Sequence, residues 1–305
     1  MAAADGATVM PWAVAVAAGA ELGERPVWDA AAACLIWVDI NAGRLHRHRP
    51  GEGNDVVTEL AAAGRPVAIG AATHRRGGGY VLAAADGFRL THPDGRAEPG
   101  VLRPPGMGDE VRFNDAACDP AGRFWAGTVA HDRRHGAGAL YRLDPSGEIT
   151  TVLSGVTESN GLGWSPGGGT FYYIDSGEPE PRIRAFPFDL ATGSLGEPAD
   201  LIRFPGGGAV PDGLVVDDGG CLWVAMYGGA ALHRYTPAGE LITILPVPVS
   251  CPTCPAFGAD SLSVLYLTSA RQSLDDEQRA AEPLAGHVLR TSPGAQGQPA
   301  TPFAA

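Results

Sequence analysis

Short apolar runs, each centred on an aromatic, recur along this chain: Ile36-Trp37-Val38, Gly79-Tyr80-Val81, Phe124-Trp125-Ala126, Tyr172-Tyr173-Ile174, Leu222-Trp223-Val224 and Leu265-Tyr266-Leu267. Successive aromatics are 43, 45, 48, 50 and 43 residues apart. Such a period fits one four-stranded antiparallel sheet per repeat, the length of a propeller blade. Between the runs, Leu140 to Ile149, Arg184 to Gly193 and Leu232 to Leu241 alternate apolar and polar positions before a Pro/Asp/Gly turn, as hairpins do. No long segment carries a helical apolar stripe. The polar stretch from Ser273 to Ala285 reads as a loop or a single turn. The pattern therefore predicts an all-β fold, a six-bladed β-propeller of four-stranded antiparallel blades. It forms a single domain over residues 1–305, with 1–10 and 295–305 as tails. A pair of β-sandwiches would not produce an even six-fold period.

Composition narrows the class further. Gly 43 and Pro 26 fall as punctuation between apolar runs, which suits many short strands. A net charge of -12 argues against nucleic acid or an anionic membrane as partner and favours cations mildly. The apolar run from Thr8 to Ala20 lacks the basic start of a signal peptide and carries Asp5 ahead of it, so it reads as a strand or a lead-in. No stretch approaches a membrane span. A cytoplasmic location and no obligate protein partner are the expectation. The odd set Cys34, Cys118, Cys221, Cys251 and Cys254 is no disulfide framework. Cys251-Pro-Thr-Cys254 has redox or zinc spacing, but its prolines oppose a helix, and small buried thiols at a strand entrance are the better reading.

Polar residues recur in phase with the aromatics. Glu24, Asn114, Asn160 and Asp212 are each followed five residues later by a turn former (Asp29, Asp119, Ser165, Asp217) and 11 to 13 residues later by Trp37, Trp125, Tyr173 or Trp223. With those aromatics on the third strand of each blade, the four polar residues fall near the innermost strands at one mouth of the channel. Blades 2 and 6 are apolar or weakly polar at the matching points, around Val67 and Cys254. Asn160-Gly161 or Asp212-Gly213 alone would be an ordinary turn pair. Four in phase point to a site of oxygen donors, which selects calcium, magnesium or manganese over structural zinc.

The motifs LGERPVWD, RFNDAACDPAGRFWAGT, SNGLGWSPGGGTFYYIDS, VPDGLVVDDGGCLWVA and AFGADSLSVLYLTSA span residues 21 to 270. On them the chain resembles the gluconolactonase/regucalcin (senescence marker protein) family of sugar lactonases. The resemblance implies one catalytic divalent cation (Ca, Mg, Mn or Zn) held by Glu24, Asn160 and Asp212. It implies substrate contacts from Arg112 and Asn114, and from Asp132, where the family more often has the longer Glu. Arg25 stands where the family commonly has a small residue and is expected to alter the rim.

A lactone ester needs a polarised carbonyl and a delivered water, and a divalent ion can serve both needs. Asp212 is the expected proton acceptor from that water. Arg112 pairs either with substrate oxygens or with nearby Asp109 or Glu110. Gly163-Trp164-Ser165-Pro166-Gly167 matches a nucleophile elbow literally, but Pro166 has no N–H for an oxyanion hole, so Ser165 is a turn residue. His74, His131 and His135 lack ligand spacing, and the latter two belong to a solvated loop. The expected activity is hydrolysis of a sugar lactone to its acid. The alternatives are a metal-dependent esterase or phosphotriesterase on other substrates, and a calcium-binding, regulatory propeller without turnover.

Overall fold

A computed structural model describes residues 11–305. Six small antiparallel sheets are arranged as a six-bladed β-propeller, and the first strands of successive blades pack against one another around the axis. These innermost strands are Gly23–Asp29, Ile69–His74, Val111–Cys118, Ser159–Trp164, Val210–Val216 and Pro252–Gly258. Blade 6 is closed by the other end of the chain. Ala13–Val16 pairs with Val288–Thr291, so the apolar N-terminal run is in part a strand. Residues 1–10, expected as a tail, lie outside those described.

Three details differ from the expected blade. Blade 2 has three strands (Ile69–His74, Tyr80–Ala84, Gly87–Leu90) with the isolated bridges Phe88–Leu102 and Thr91–Ala97 in place of a fourth. Blade 4 has five, Arg182–Asp189 pairing with both Ser194–Leu195 and Ala199–Arg203. The aromatic series lies on the second strand of every blade, not the third: Trp37, Tyr80, Trp125, Tyr173, Trp223 and Tyr266 all fall one strand out from the axis and are buried. The turn residues explain the phase. Asp119 accepts the Trp125 indole N–H at 3.0 Å, and Asp217 accepts that of Trp223 at 3.0 Å. The same carboxylates take the backbone N–H groups of Arg123 and Cys221. Each aspartate thus shapes the turn between strands one and two and satisfies the polar edge of the aromatic just beyond it. Ser165 takes the backbone N–H of Thr170 at 3.1 Å, a turn residue as expected.

The three predicted hairpins are present, including Gly138–Leu143 with Ile149–Val156 and Ala231–Tyr235 with Leu241–Pro246. Within Ser273 to Ala285, Asp276–Ala281 forms a short helix, started by a capping box between Asp275 and Gln278. The C-terminal residues, expected as a tail, run across the base of the channel. Gln298 Nε2 donates to the carbonyls of Trp164 and Val216 at 3.3 and 3.2 Å, and Phe303 is buried between blades 2 and 3.

Candidate functional site

All six innermost strands break register at the same depth: between Glu24/Val27, Ile69/Ala71, Phe113/Ala116, Ser159/Leu162, Pro211/Leu214 and Pro252/Pro255. A β-bulge re-aims the side chain it carries. Asn114, Asn160 and Asp212 lie inside their bulges, Glu24 at the edge of its own, and so the in-phase polar residues converge on one mouth. The glycines after two of them do not make turns. A Cβ on Gly161 would sit 2.7 Å from the Asp212 carbonyl oxygen, and one on Gly213 would sit 2.5 Å from Cys254. Glycine is there so that neighbouring innermost strands can approach.

The mouth is a cavity of about 300 Å³ lined by Glu24, Arg112, Asn114, Asn160 and Asp212, together with Arg133, Glu158, Ser176, Tyr227 and Gln272. Glu24, Asn160 and Asp212 are nearly inaccessible, at 6%, 5% and 7% exposure. A relay of hydrogen bonds fixes the amides. Arg112 Nη1 donates to Asn114 Oδ1 at 2.8 Å, Asn114 Nδ2 to Asn160 Oδ1 at 2.8 Å, and Asn160 Nδ2 to Ser176 Oγ at 2.9 Å. Ser176 Oγ in turn donates to the Pro211 carbonyl. The Asn160 oxygen is therefore directed to the Asn114 side with one lone pair free. Glu24 Oε2 accepts the backbone N–H of Arg25 at 2.8 Å, and the Asp212 carboxylate has no hydrogen-bond partner among the described residues.

Burial, together with the facing Asp115 charge, raises the Glu24 carboxyl from an ordinary 4.5 up to about 8. Burial, with Glu24 and Glu158 nearby, pushes Asp212 well above the carboxylate range. Two buried carboxylates that repel each other, one of them without a donor, fit a bound cation. With the Asn160 amide oxygen they make an all-oxygen set suited to a hard ion. Among the described residues no group of three or more His, Cys, Asp or Glu is placed to hold a metal, so any such site uses this mixed carboxylate and amide set.

Arg25 does not reach the rim. With φ of 38° in its bulge it turns down the channel, where Nη1 lies 3.4 Å from Asp115 Oδ1 and 4.0 Å from Cys254 Sγ. It borders a second, lower cavity of about 150 Å³ that Gln298 and Thr301 close from below. Cys251 and Cys254 are buried free thiols. Asp132 is not brought to the cavity: it is exposed and pairs with Arg134 at 3.1 Å. The reason is local, since Ala130–Arg133 forms a tight turn that points Arg133 inward instead. Arg112 contacts neither Asp109, which pairs with Arg103, nor Glu110. His131 and His135 are on the exposed loop, with His135 3.4 Å from Glu178. The sequence reading missed Arg133, Glu158 and Ser176. Glu158 precedes the Ser159-Asn160 motif by one residue and was within reach of it.

Fold and cavity together define a six-bladed propeller with a polar cavity at one channel mouth and the C-terminal residues lying across the other end. Residues 22–271 match the family described as the SMP-30/Gluconolactonase/LRE-like region, and the chain belongs to that family. It is 35% identical over 271 residues to the 6-deoxy-6-sulfogluconolactonase of Pseudomonas putida, covering 88% of this chain and 90% of that one. It is 34% identical over 290 residues to the regucalcin of Gallus gallus, covering 93% and 95%. Among solved structures, the calcium-binding protein regucalcin of Agrobacterium tumefaciens superposes with a TM-score of 0.88 at 28% identity, covering 96% of this chain and 97% of that one.

Proposed function

We propose that this protein hydrolyses a sugar lactone to its sugar acid with the help of one divalent cation held by Glu24, Asn160 and Asp212. The observation that carries the reading is the meeting of these three buried oxygen donors with Arg112 and Asn114 in one cavity. Bound there, the ion would polarise the lactone carbonyl and acidify a water. Asp212, whose carboxylate has no protein donor among the described residues, takes the proton from the attacking water and returns it to the ring oxygen as the acyl C–O bond breaks, leaving the open-chain acid. Arg112 has Nε and Nη2 without protein acceptors among the described residues and holds the carbonyl-side oxygens as negative charge grows on them. Asn114, engaged by Arg112, Asn160 and the Ser159 carbonyl, positions Arg112 and Asn160 more than it binds substrate. Asp132 has no place in this scheme.

A second reading has its own support. The similarity to regucalcins, one of them solved as a calcium-binding protein, favours a propeller whose ion is bound without turnover. Action on other esters or phosphoesters remains the third. Similarity to a 6-deoxy-6-sulfogluconolactonase favours a sugar-lactone substrate, and the net charge of -12 disfavours nucleic acid or membrane partners. Five unpaired thiols suit work in the reducing cytoplasm. Among the described residues no helix is long and apolar enough to cross a membrane. A pH-stat assay over aldonolactones, simple esters and phosphotriesters, with Ca2+, Mg2+, Mn2+, Zn2+ or chelator, separates the three. Turnover of lactones that chelator abolishes is expected. Tight Ca2+ binding with no turnover of any substrate would overturn the lactonase reading in favour of the second.

A further inference from the structure

The mouth of the cavity carries a guanidinium that the scheme above leaves unused. Arg133 lines the cavity from the loop 131–136, with its side chain 64% exposed. Nη1 donates to Glu158 Oε2 at 2.7 Å, and Nε and Nη2 have no protein acceptor among the described residues. Its backbone is in the left-handed region, φ 55°, which a non-glycine residue adopts at a cost of about 1 kcal/mol. The conformation is held at both ends. Arg133 N–H donates to the Ala130 carbonyl at 3.0 Å, and Gly136 N–H donates to Thr157 Oγ1 at 3.0 Å. These bonds hold the Arg133 side chain at the mouth of the cavity.

The charge balance indicates what that contact is for. The ionisable residues of the cavity are Glu24, Glu158 and Asp212 against Arg112 and Arg133. With both floor carboxylates ionised around a divalent ion, these side chains and the ion sum to one positive charge, in a protein whose overall charge is -12. Glu24, Asn160 and Asp212 form the buried floor, and Arg133 stands at the exposed rim. A lactone whose ring carbonyl lies on the floor would direct its far end outward to the rim. We propose that Arg133 recognises an anionic group at the end of the substrate remote from the lactone carbonyl, so that this protein prefers acidic sugar lactones to neutral ones. The proposal rests on the lactonase reading for its geometry. Carboxylate, phosphate and sulfonate share the planar or tripodal oxygen array that a guanidinium fork accepts.

The test compares gluconolactone with glucarolactone, 6-phosphogluconolactone and 6-deoxy-6-sulfogluconolactone, the last three distinguishing the kind of anion. Wild type is expected to show kcat/KM at least about tenfold higher for one or more anionic lactones, falling as salt is added. Arg133→Met is expected to bring the anionic-to-neutral ratio down about tenfold, mainly through KM, and Arg133→Lys to keep part of it. Gluconolactone turnover with no anionic preference, or a preference that survives Arg133→Met, would overturn the inference and leave the lactonase reading standing. If no lactone is turned over, the lactonase reading falls, and titration calorimetry of the Ca2+-loaded protein decides. Tighter, salt-sensitive binding of 6-phosphogluconate than of gluconate, lost in Arg133→Met, would support the role of Arg133, and equal binding would end it.

Discussion

Asn114 Nδ2 and Asn160 Oδ1 are 2.8 Å apart, joining adjacent innermost strands at the channel mouth. Two residues expected to serve different partners, substrate and ion, are one hydrogen-bonded unit, because bulges in the innermost strands of blades 3 and 4 aim both into the same space. Groups that orient a metal ligand typically alter affinity about 10- to 100-fold when removed. Asn114→Ala is therefore expected to weaken cation binding at least about tenfold by calorimetry. An unchanged dissociation constant would mean that Asn160 is held by Ser176 alone.

Asp212 is the buried carboxylate without a protein donor, and the proposed base. Asp212→Asn keeps the shape and one oxygen while removing proton acceptance. General-base groups contribute about 10²- to 10⁴-fold, and kcat for lactone hydrolysis is expected to fall by that order at saturating cation. Near-normal turnover with the cation still bound would exclude Asp212 as the base.

The raised Glu24 carboxyl gives a pH dependence of known sign. Between an ordinary 4.5 and about 8 the folded, metal-free protein holds a proton that the unfolded chain has lost. Stability then falls as pH rises, because the unfolded state binds fewer protons. The contribution is complete below about pH 4.5 and is lost as pH passes about 8. Asp212, raised in the same direction, adds to it. In EDTA the melting temperature is expected to drop from pH 5 to pH 8.5, and saturating divalent cation should flatten the slope by pairing the ionised carboxylates. A melting temperature that rises over this range in EDTA would contradict the proposed electrostatics.

The six-fold period of aromatics was legible because the second strand of each blade buries a large side chain, and the phase of the polar residues was legible because each innermost strand repeats. The strand number of Trp37 or Trp125 was not, since periodicity gives spacing without direction from the axis. Nor was the bulge between Phe113 and Ala116 that carries Asn114, which depends on the pairing of those two residues with Thr128 and Ala126. Asp132 shows the limit most clearly. Its motif position pointed to the cavity, but a tight turn closed by Ala130 gives that direction to Arg133, and turn conformation is set by neighbouring bonds to Glu158 and Thr157 far along the chain.

Asp119 ties the repeat together and offers the sharpest stability test. It is completely buried, with its carboxylate taking the Trp125 indole, the Arg123 guanidinium and the backbone N–H groups of Ala121 and Arg123. Arg123 is itself buried and reaches the Leu190 carbonyl at 2.8 Å in the next blade. Asp119→Ala leaves a buried cation and an indole N–H without that acceptor. Removing one partner of a buried pair costs about 3–5 kcal/mol, and urea unfolding should show a loss of that order. Asp29→Ala removes the equivalent turn carboxylate in blade 1, which among the described residues accepts only the exposed N–H groups of Ala31 and Ala32, Trp37 being served by Asn54 instead. There a loss of about 1 kcal/mol or less is expected, the value of an exposed turn hydrogen bond. Equal losses at the two sites would show that the turn itself, and not the indole and guanidinium contacts, is what the repeated aspartate supplies.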